Sequence, residues 1–372
     1  MAQPNYAEPG ALARLALAIT LGDAAPDAFL HAPSALPEVR KAVFFELDRD
    51  GGAHTEHFAA NMPDRAWDQY HARYHAFDPW AGPVLASGER FNTASRLVPL
   101  DSVKRGEFYN DFLRAKRLFD DAASVTTPTS CGKVGALALY TEFGHGAFED
   151  ASLRVIAAAA PDIEMFMRLR DRAMRTADRE ALHAARQEVG AGPGPAALVD
   201  GALRVLVADP EFESPAGPET AAPWRVIHGR AELRDRRAQA RLEAFAAAGA
   251  RLGAPGAAPL DLPLLETATL RMEARRVVVA DPLWKAERGA TLIFVSPSAA
   301  AVAARRRQGL IARGLTGAEA DVVLLLTAGA SPAEAASARG AARATVRVQI
   351  REAMGKLRCH RQSQLVAAAL AL

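Results

Sequence analysis

The chain has 372 residues, half of them hydrophobic and 24% charged, a composition that excludes a disordered protein. The length exceeds one ordinary core, so we expect two or three domains. The formal net charge of +2 hides an asymmetry, because residues 301–372 carry eleven Lys and Arg against four Asp and Glu. A basic C-terminal segment on an acidic body indicates a module that binds a polyanion.

The cysteines and the N-terminal segment exclude further classes of protein. Cys131 and Cys359 lie far apart and outside any CxxC pair, so we expect neither a disulfide framework nor a structural zinc site. Residues 1–10 lack a basic segment followed by an apolar run, and the apolar residues 11–19 are few and interrupted by Arg14. We therefore expect no signal peptide, no membrane span and a cytoplasmic location.

The first 170 residues predict an α+β domain. Apolar spacing and β-prone runs predict helices over 11–20, 66–77, 107–113 and 150–171, and strands over 43–47, 123–127 and 134–140. Asp78-Pro79 is expected to end the second helix, because a residue before proline avoids the helical region. A sheet with helices before and after it suggests a GAF- or PAS-like sensory fold.

The helix over 66–77 is rich in aromatic residues. Such residues are more often core than ligand cage, yet an aromatic helix over a sheet is where a GAF- or PAS-like pocket is lined. We therefore name six candidate ligand-binding residues: Trp67, Tyr70, Tyr74, Phe77, Asp78 and Trp80.

The middle of the chain predicts a linker and a second domain. Residues 168–188 are rich in Arg, Glu and Ala and lack Gly and Pro, which predicts a dimerising helical linker within 171–195, ended by the Gly and Pro residues of 190–195. Further runs predict strands over 202–208, 223–228, 267–272, 276–280 and 291–295 and a helix over 231–248. We expect a second PAS-like α+β domain over residues 196–300.

Residues 315–372 predict four short helices, the third of them basic. Thr316 and Glu319 have the spacing of a capping box, and Ser331 and Glu334 repeat it for the next helix. Gly340 provides the turn before the third helix. This is the layout of a small helix-turn-helix domain that reads DNA.

The third helix has two different faces. Its core-facing residues recur at helical spacing: Val346, Ile350, Met354 and Leu357. Arg347 and Arg351 lie four residues apart on one ridge of the complementary face, with Val348 beside them. Guanidinium groups suit bidentate contacts to guanine edges or phosphate. The last helix, residues 362–372, is more apolar than so small a domain can bury, which favours a dimer interface.

Four segments together resemble the C-terminal DNA-binding domain of LuxR-type transcriptional regulators: Leu315-Thr316-x-x-Glu319, Ala328-Gly329, Thr345-Val346-Arg347-Val348-Gln349 and Gln362-Ser363-Gln364-Leu365-Val366. The resemblance covers roughly the last 58 residues and implies an all-α helix-turn-helix domain over 310–372 whose third helix enters the major groove. It implies base-edge contacts for Arg347, Val348 and Arg351 and backbone contacts for Thr345 and Lys356. With the basic Arg343, these are our candidate DNA-binding residues.

The chain departs from that family at four positions. The family usually has Ile, Leu and Ile where this chain has Ala335, Arg339 and Ala341, and glycine where it has Arg358. Large-to-Ala changes cost roughly 2–5 kcal/mol each in a rigid core, and Arg339 places a charge where packing is expected. We expect these departures to affect DNA affinity and not the fold.

The N-terminal half is similar to the sensor regions that precede this domain in large members of the family, on the segments Phe108-Tyr109-Asn110-Asp111-Phe112-Leu113-Arg114 and Asp78-Pro79. Quorum-sensing members hold an acyl-homoserine lactone with a Trp, a Tyr and an Asp-Pro pair. Trp67, Tyr70 and Asp78-Pro79 resemble that set, but their Trp–Tyr spacing differs, so we do not expect a lactone.

Other sequence patterns do not indicate a metal, phosphate or catalytic site. His54 with His57, and His71 with His75, have spacings seen in metal sites but lack a third ligand, so we expect solvated histidines and no metal. Lys133 lies among glycines but not at the spacing of a phosphate loop. We find no nucleophile–base pair or catalytic carboxylate pair, and we expect neither an enzyme nor a cofactor.

These patterns predict a homodimeric transcriptional regulator that binds double-stranded DNA under the control of sensory domains. They leave open whether the N-terminal domain binds a small-molecule ligand. The alternative is a sensor or scaffold protein whose degenerate C-terminal domain binds a protein partner. A steep loss of DNA affinity with added salt favours the first, and no DNA binding at low salt favours the second.

Overall fold

The computed structural model describes residues 10–32, 36–48, 54–189, 194–215, 222–249, 261–284 and 286–372. The chain is mixed α/β and forms two compact units. The first unit comprises residues 1–187, 197–258 and 276–292, and the second comprises 188–196, 259–275 and 293–372. The predicted domain 196–300 therefore contributes to both units. Within the described ranges, no helix has the length and apolar character needed to cross a bilayer.

The first unit contains an antiparallel sheet with the strand order β2-β1-β5-β4-β3. Its strands are β1 (Val39–Asp48), β2 (His54–Ala60), β3 (Phe91–Thr93), β4 (Ala122–Pro128) and β5 (Lys133–Thr141). The accompanying helices are α1 (Ala11–Leu21), α2 (Asp27–His31), α3 (Asp64–Ala72), α4 (Ala81–Ser87), α5 (Ala94–Leu97), α6 (Leu100–Val103) and α7 (Asp150–Glu188). The strands predicted over 43–47, 123–127 and 134–140 are confirmed as parts of β1, β4 and β5.

Alternate residues of the central strands β1 and β5 enter two different apolar layers, as the two-residue period of a strand requires. Phe44 and Leu137 pack in the layer that contains residues of α1, α2 and α7. Phe45, Ala136 and Tyr140 pack in the opposite layer, which contains residues of α3 and of the segment around residue 108. The sheet is thus covered on both faces.

Two predicted helices of this region have a different form. The helix predicted over 66–77 begins at Asp64 and ends at Ala72, because Arg73 leaves the helical region with φ −146°, and a 3₁₀ turn follows over Tyr74–Phe77. The helix predicted over 107–113 is a π-helix over Phe108–Arg114. Seven residues are too few for their apolar spacing to distinguish the period of an α-helix from that of a π-helix.

Helix α7 is continuous over 39 residues and contains both the helix predicted over 150–171 and the linker helix that follows it. The boundary predicted at residues 170 and 171 therefore falls inside one helix. Of the segment predicted to end the linker, residues 190–193 lie outside the described residues.

The next part of the chain builds a second five-stranded sheet with the order β10-β11-β12-β6-β7 and a separate β8–β9 hairpin. The elements are β6 (Ala196–Val199), β7 (Val205–Ala208), α8 (Pro210–Glu213), β8 (Trp224–Ile227), β9 (Arg230–Leu233), α9 (Arg236–Gly249), β10 (Asp261–Glu266), β11 (Leu270–Ala280) and β12 (Glu287–Pro297). The sequence did not predict β6 or β10, and the two strands predicted over 267–280 are joined in β11.

The helix predicted over 231–248 is wrong at its start, where residues 230–233 form β9. His228 and Gly229 both have positive φ angles, 49° and 74°, and make a two-residue turn that pairs Ile227 with Arg230. A tight turn of this kind favours a hairpin because its twist matches that of the strands. The helical residues begin only at Arg236.

The C-terminal part of the second unit is all-α. Its helices are α10 (Ala299–Ala312), α11 (Gly317–Thr327), α12 (Pro332–Ala338), α13 (Arg343–Lys356) and α14 (Gln362–Leu370). Both predicted capping boxes are confirmed, with Thr316 and Glu319 at α11 and Ser331 and Glu334 at α12. The core residues of α13 are Val346, Ile350 and Ala353, while the predicted Met354 and Leu357 are partly buried.

The structure also places the residues that depart from the family pattern. Ala335 is fully buried in the apolar cluster and Ala341 packs against it. Arg339 does not replace a core side chain, because its Nη1 donates hydrogen bonds to the carbonyl oxygen of Ala318 at 2.6 Å and to Gln349 at 3.3 Å. Arg358 adopts a left-handed conformation with φ 53°, which explains why a glycine suits this position.

Candidate functional site

A cavity lies in the first unit between the sheet and the aromatic segments that cover it. Counted together with its opening towards solvent, it has a volume of about 840 Å³. Its apolar wall is formed by Phe45, Met62, Ala66, Trp80, Ala81, Val84, Ala94, Phe108, Phe112, Leu118, Phe119, Ala122, Ala136 and Ala138. Alanine side chains of β4 and β5 contribute to this wall, and their small size leaves the space above the sheet open.

A tyrosine–aspartate pair forms the polar end of the cavity. Tyr70 Oη donates a hydrogen bond of 2.7 Å to Asp78 Oδ2, and Asp78 Oδ1 accepts from the backbone N–H groups of Trp80 and Ala81. Burial raises the pKa of Asp78 above its usual range, although these hydrogen bonds act in the opposite direction. Burial, followed by the charge of Asp78, raises the pKa of Tyr70. The pair therefore fixes the α3 helix against the start of α4.

Two further hydroxyl groups line the cavity from the sheet. Tyr140 on β5 and Ser124 on β4 are each only 7% exposed. Within the described part of the chain, neither hydroxyl has a hydrogen-bond partner. Burial, and then the charge of Asp78, raises the pKa of Tyr140, so this phenol stays protonated and able to donate. Buried polar groups are normally hydrogen-bonded, and these two are therefore free to bind a ligand or water.

The free space limits the size of what this cavity holds. Its free volume, measured by where the centre of a water molecule fits, is about 90 Å³. This is well above the roughly 10–15 Å³ that a single water needs. A ligand that enters without rearranging the walls is therefore small, largely apolar, and equipped with one or two polar atoms for Tyr140 and Ser124.

Of the six candidate ligand residues, Tyr70, Asp78 and Trp80 line the cavity. Tyr74 does not line it but stacks on Phe112, at 4.6 Å between ring centroids, and Phe77 is 51% exposed and points to solvent. The side chain of Trp67 lies outside the described residues, as do those of His54, His57 and His71.

The wall residues from the sheet and the π-helix were missed, because they approach the Tyr70 segment only in the folded chain. The available signal was the alternation of residues along the predicted strands, which marks Ala136, Ala138 and Tyr140 as sharing one face.

A buried arginine of α7 packs against the other face of β1. Arg170 of α7 is 1% exposed and donates to Glu46 at 2.8 Å and to Asp281 at 2.7 Å and 3.1 Å. Its guanidinium lies over the rings of Phe44, at 4.9 Å, and Trp284, at 5.5 Å. Strand β1 therefore stands between the cavity, which Phe45 lines, and this charged cluster.

The second unit presents a basic ridge on α13. Arg343, Arg347 and Arg351 follow one another at intervals of four residues and are exposed, as is Thr345. In the described structure, none of these three guanidinium groups has an ion pair or a hydrogen bond with an acidic residue. Val348 beside them is 45% exposed. Arg343, Arg347 and Arg351, with Val348 beside them, thus lie on accessible helix surface, and Thr345 is exposed on another side of the helix.

Lys356, a predicted DNA-binding residue, has a different environment. Its Nζ donates to both carboxylate oxygens of Glu319, at 2.9 Å and 2.6 Å, and so joins the end of α13 to the capping box of α11. Burial acts to raise the pKa of Glu319, but hydrogen bonds from Lys356 and Thr316 outweigh it and the net pKa is lowered. Lys356 therefore positions α13 against α11.

Comparison with known proteins gives structural neighbours only. No protein-family model matches the chain, and no curated protein matches it. The ligand-binding domain of VqsR from Pseudomonas aeruginosa is 14% identical, covers 43% of this chain and 94% of its own, and has a TM-score of 0.33. CepR2 from Burkholderia cenocepacia, described as an N-acylhomoserine lactone dependent LuxR family factor, is 17% identical over 41% of this chain and 88% of its own, with a TM-score of 0.30. SdiA from Escherichia coli is 9% identical over 96% of this chain and 95% of its own length, also with a TM-score of 0.30. TM-scores this low do not establish a shared fold.

Proposed function

We propose that this protein is a transcriptional regulator that binds double-stranded DNA through α13. The observation that carries the proposal is the ridge of Arg343, Arg347 and Arg351, three exposed guanidinium groups that no acidic side chain in the described structure neutralises. Exposed cations along one helix face bind the phosphate backbone and guanine edges. Val348, exposed beside them, suits contact with a thymine methyl group.

The surrounding helices hold this ridge rigidly. Arg339 connects the end of α12 to Ala318 on α11 and to Gln349 on α13, while Lys356 connects α13 to Glu319. A reading helix of 14 residues is about 21 Å long at 1.5 Å per residue, enough to present all three arginines to one groove. Docking such a helix demands a fixed orientation, which these contacts supply.

The cavity supports a sensory role for the first unit. A small, largely apolar ligand would accept a hydrogen bond from Tyr140 and exchange one with Ser124, since both hydroxyl groups lack partners in the described structure. Phe45 contacts the cavity while its neighbour Phe44 contacts Arg170 across the sheet. Ligand occupancy would therefore act on β1 and, through Arg170, on α7.

Homodimerisation completes the proposed mechanism. On α14, Leu365 and Ala369 are buried in the core, whereas Leu370 remains 47% exposed. An apolar side chain left in solvent at the end of a short helix suits contact with a second copy. Two recognition helices then contact two half-sites roughly one helical turn apart.

DNA binding is tested by selecting duplexes from a randomised pool with the full-length protein and measuring affinity by gel shift. Arg347→Ala is expected to weaken binding by about 1–3 kcal/mol at one base position. The matched control is Arg237→Ala, which removes an exposed helical arginine of α9 and is expected to leave the affinity unchanged. Affinity should also fall steeply with added salt.

The opposite outcome supports another class of protein. No selected sequence and no DNA binding at low salt would refute the proposal and favour a sensor or scaffold whose C-terminal helices bind a protein. Equal affinity of Arg347→Ala and the parent chain would refute the assignment of this residue alone.

A further inference from the structure

We propose that Glu38, His145 and Glu149 form a binding site for a divalent transition-metal ion such as Zn²⁺. One ligand atom from each residue lies within 4.8 Å of the other two. Glu38 immediately precedes β1, His145 lies in the loop after β5, and Glu149 immediately precedes α7. The three residues are thus separate in the sequence and are brought together by the fold of the first unit.

The first argument is the environment of Glu38. Its side chain is 3% exposed, and one carboxylate oxygen, Oε1, accepts a hydrogen bond of 3.3 Å from the backbone N–H of Glu149. The other oxygen, Oε2, has no hydrogen-bond donor in the described structure and lies 3.8 Å from His145 Nε2. Most buried side-chain polar atoms have at least one hydrogen-bond partner. Oε2 has none and faces the imidazole of His145.

The second argument is the local balance of charge. The carboxylate of Glu149 has no hydrogen bond or ion pair in the described structure. The neighbouring acids are already paired, Glu142 with Arg40 and Asp150 with Arg96. Two negative charges therefore remain close to a single histidine. A bound dication satisfies both carboxylates together with the neutral imidazole.

The third argument is geometry. Bonds of about 2.0–2.2 Å to a tetrahedral metal place its ligand atoms roughly 3.3–3.6 Å apart, and Glu38 and His145 already lie at 3.8 Å. Glu149 is exposed and can approach by rotation of its side chain. Asp120 accepts hydrogen bonds from the N–H groups of Gly144 and Gly146, which holds the His145 loop in place.

The chemistry of the three groups selects the ion. One imidazole and two carboxylates suit Zn²⁺, Mn²⁺ or Ni²⁺ better than Mg²⁺, which prefers oxygen ligands and keeps its waters. Three protein ligands leave at least one coordination position for water. The ion would bind the start of β1, the β5–α7 loop and the start of α7 to one another, and so restrain the helix that carries Arg170.

The test is calorimetric titration of ZnCl₂ into the untagged, metal-free, full-length protein at neutral pH, with MgCl₂ as the comparison ion. We expect one Zn²⁺ per chain and a far weaker response to Mg²⁺. His145→Ala and Glu149→Gln should each weaken Zn²⁺ binding at least tenfold. Both residues are accessible to solvent, so neither variant should impair folding, and circular dichroism checks this.

Two matched controls separate this site from adventitious binding. Glu142→Gln removes an exposed acid in the same loop, and His360→Ala removes an exposed histidine of the α13–α14 connection. Both should bind Zn²⁺ within twofold of the parent chain. Absence of saturable binding, or parental affinity in either His145→Ala or Glu149→Gln, would overturn the proposal.

Discussion

The cavity region of the first unit and the helical segment of the second unit contain polar groups of two kinds. In each region some polar groups are joined to partners and hold the structure, such as Asp78 in the cavity and Lys356 at the end of α13. Others have no partner in the described structure, namely the hydroxyl of Tyr140 and the guanidinium of Arg347. The two regions differ in where these unpartnered groups lie. In the first unit they line an apolar cavity, and in the second they are exposed to solvent.

This difference indicates which kind of molecule each region is suited to bind. An unpartnered hydroxyl in a largely apolar cavity favours a small ligand that brings its own polar atom, because a few polar groups in an apolar wall fix the orientation of a ligand. Unpartnered cations on an exposed ridge favour a large anionic partner, whose association releases counterions. The comparison also separates two effects of substitution. Loss of a partnered group should lower stability, whereas loss of an unpartnered one should lower binding.

The largest expected effect is on the partnered Arg170. Arg170→Ala removes the guanidinium that binds the buried carboxylates of Glu46 and Asp281, and removing one member of a buried ion cluster costs about 3–5 kcal/mol. Urea unfolding of the full-length protein measures this loss. The matched control Arg172→Ala, two residues along the same helix and exposed, should change stability by less than about 0.5 kcal/mol. Equal stability of both variants would contradict the buried cluster.

The next effect concerns Lys356. Lys356→Met preserves the length of the side chain but removes the donors to Glu319, and a charged hydrogen bond contributes about 1.5–3 kcal/mol. Because the Lys356 side chain is 35% exposed, solvent screens the pair, and we expect the lower end of that range in a urea unfolding experiment. Undiminished stability together with weakened DNA binding would instead place Lys356 among the phosphate-contacting residues.

Acid titration checks the same contact. The pKa of Glu319 is lower in the folded protein than its ordinary value of 4.5. Its contribution is therefore fully present above the unfolded pKa and is lost as the pH falls through the folded pKa. Stability of the C-terminal helices should decline below pH 4.5 in the parent chain and less so in Glu319→Gln.

A smaller effect distinguishes two buried tyrosines. Tyr109 donates to the buried Asp120 at 3.0 Å, and burial together with this bond raises its pKa to about 12. Tyr109→Phe should cost about 1–2 kcal/mol, since it leaves the carboxylate with one donor fewer. Tyr140→Phe removes a hydroxyl without a partner and should leave thermal stability nearly unchanged. A comparable loss in both variants would show that Tyr140 has a structural partner.

The smallest effect is a gain. Arg358 has φ 53°, a conformation that costs an L-residue roughly 1–2 kcal/mol. Arg358→Gly removes this strain, although glycine loses more chain entropy on folding, so we expect a net stabilisation of roughly 0.5–1 kcal/mol. A thermal melt measures it. A lower melting temperature for this variant would mean that the Arg358 side chain makes a contact that outweighs its backbone strain.

Some features of the candidate sites can be predicted from the sequence alone. Both capping boxes of the C-terminal segment depend on residues three positions apart, so Thr316 with Glu319 and Ser331 with Glu334 were predicted correctly. The ridge of Arg347 and Arg351 likewise needs only the helical period. In the first unit, Tyr70, Asp78 and Trp80 were named as candidates because they belong to one aromatic-rich segment, and all three line the cavity.

The remaining features depend on contacts that short spacing cannot reveal. Arg339 was expected to disturb the core, but it donates to Ala318, which lies 21 residues away. The helix predicted over 231–248 loses its first residues to a hairpin that His228 and Gly229 set, through backbone angles that favour a tight turn. Local propensity is overridden in both cases by a partner elsewhere in the chain.

The sequence alone determined that residues 315–372 form short helices with one basic ridge, because helix caps, glycine stops and the helical period act over a few residues. It also marked an aromatic segment as a candidate pocket wall. Only the tertiary structure decided which of those aromatics reach the cavity, because the opposite wall comes from β4 and β5. It also placed Arg170 between Glu46 and Asp281, and Glu38 beside His145, since such charged groups meet only when distant segments pack together.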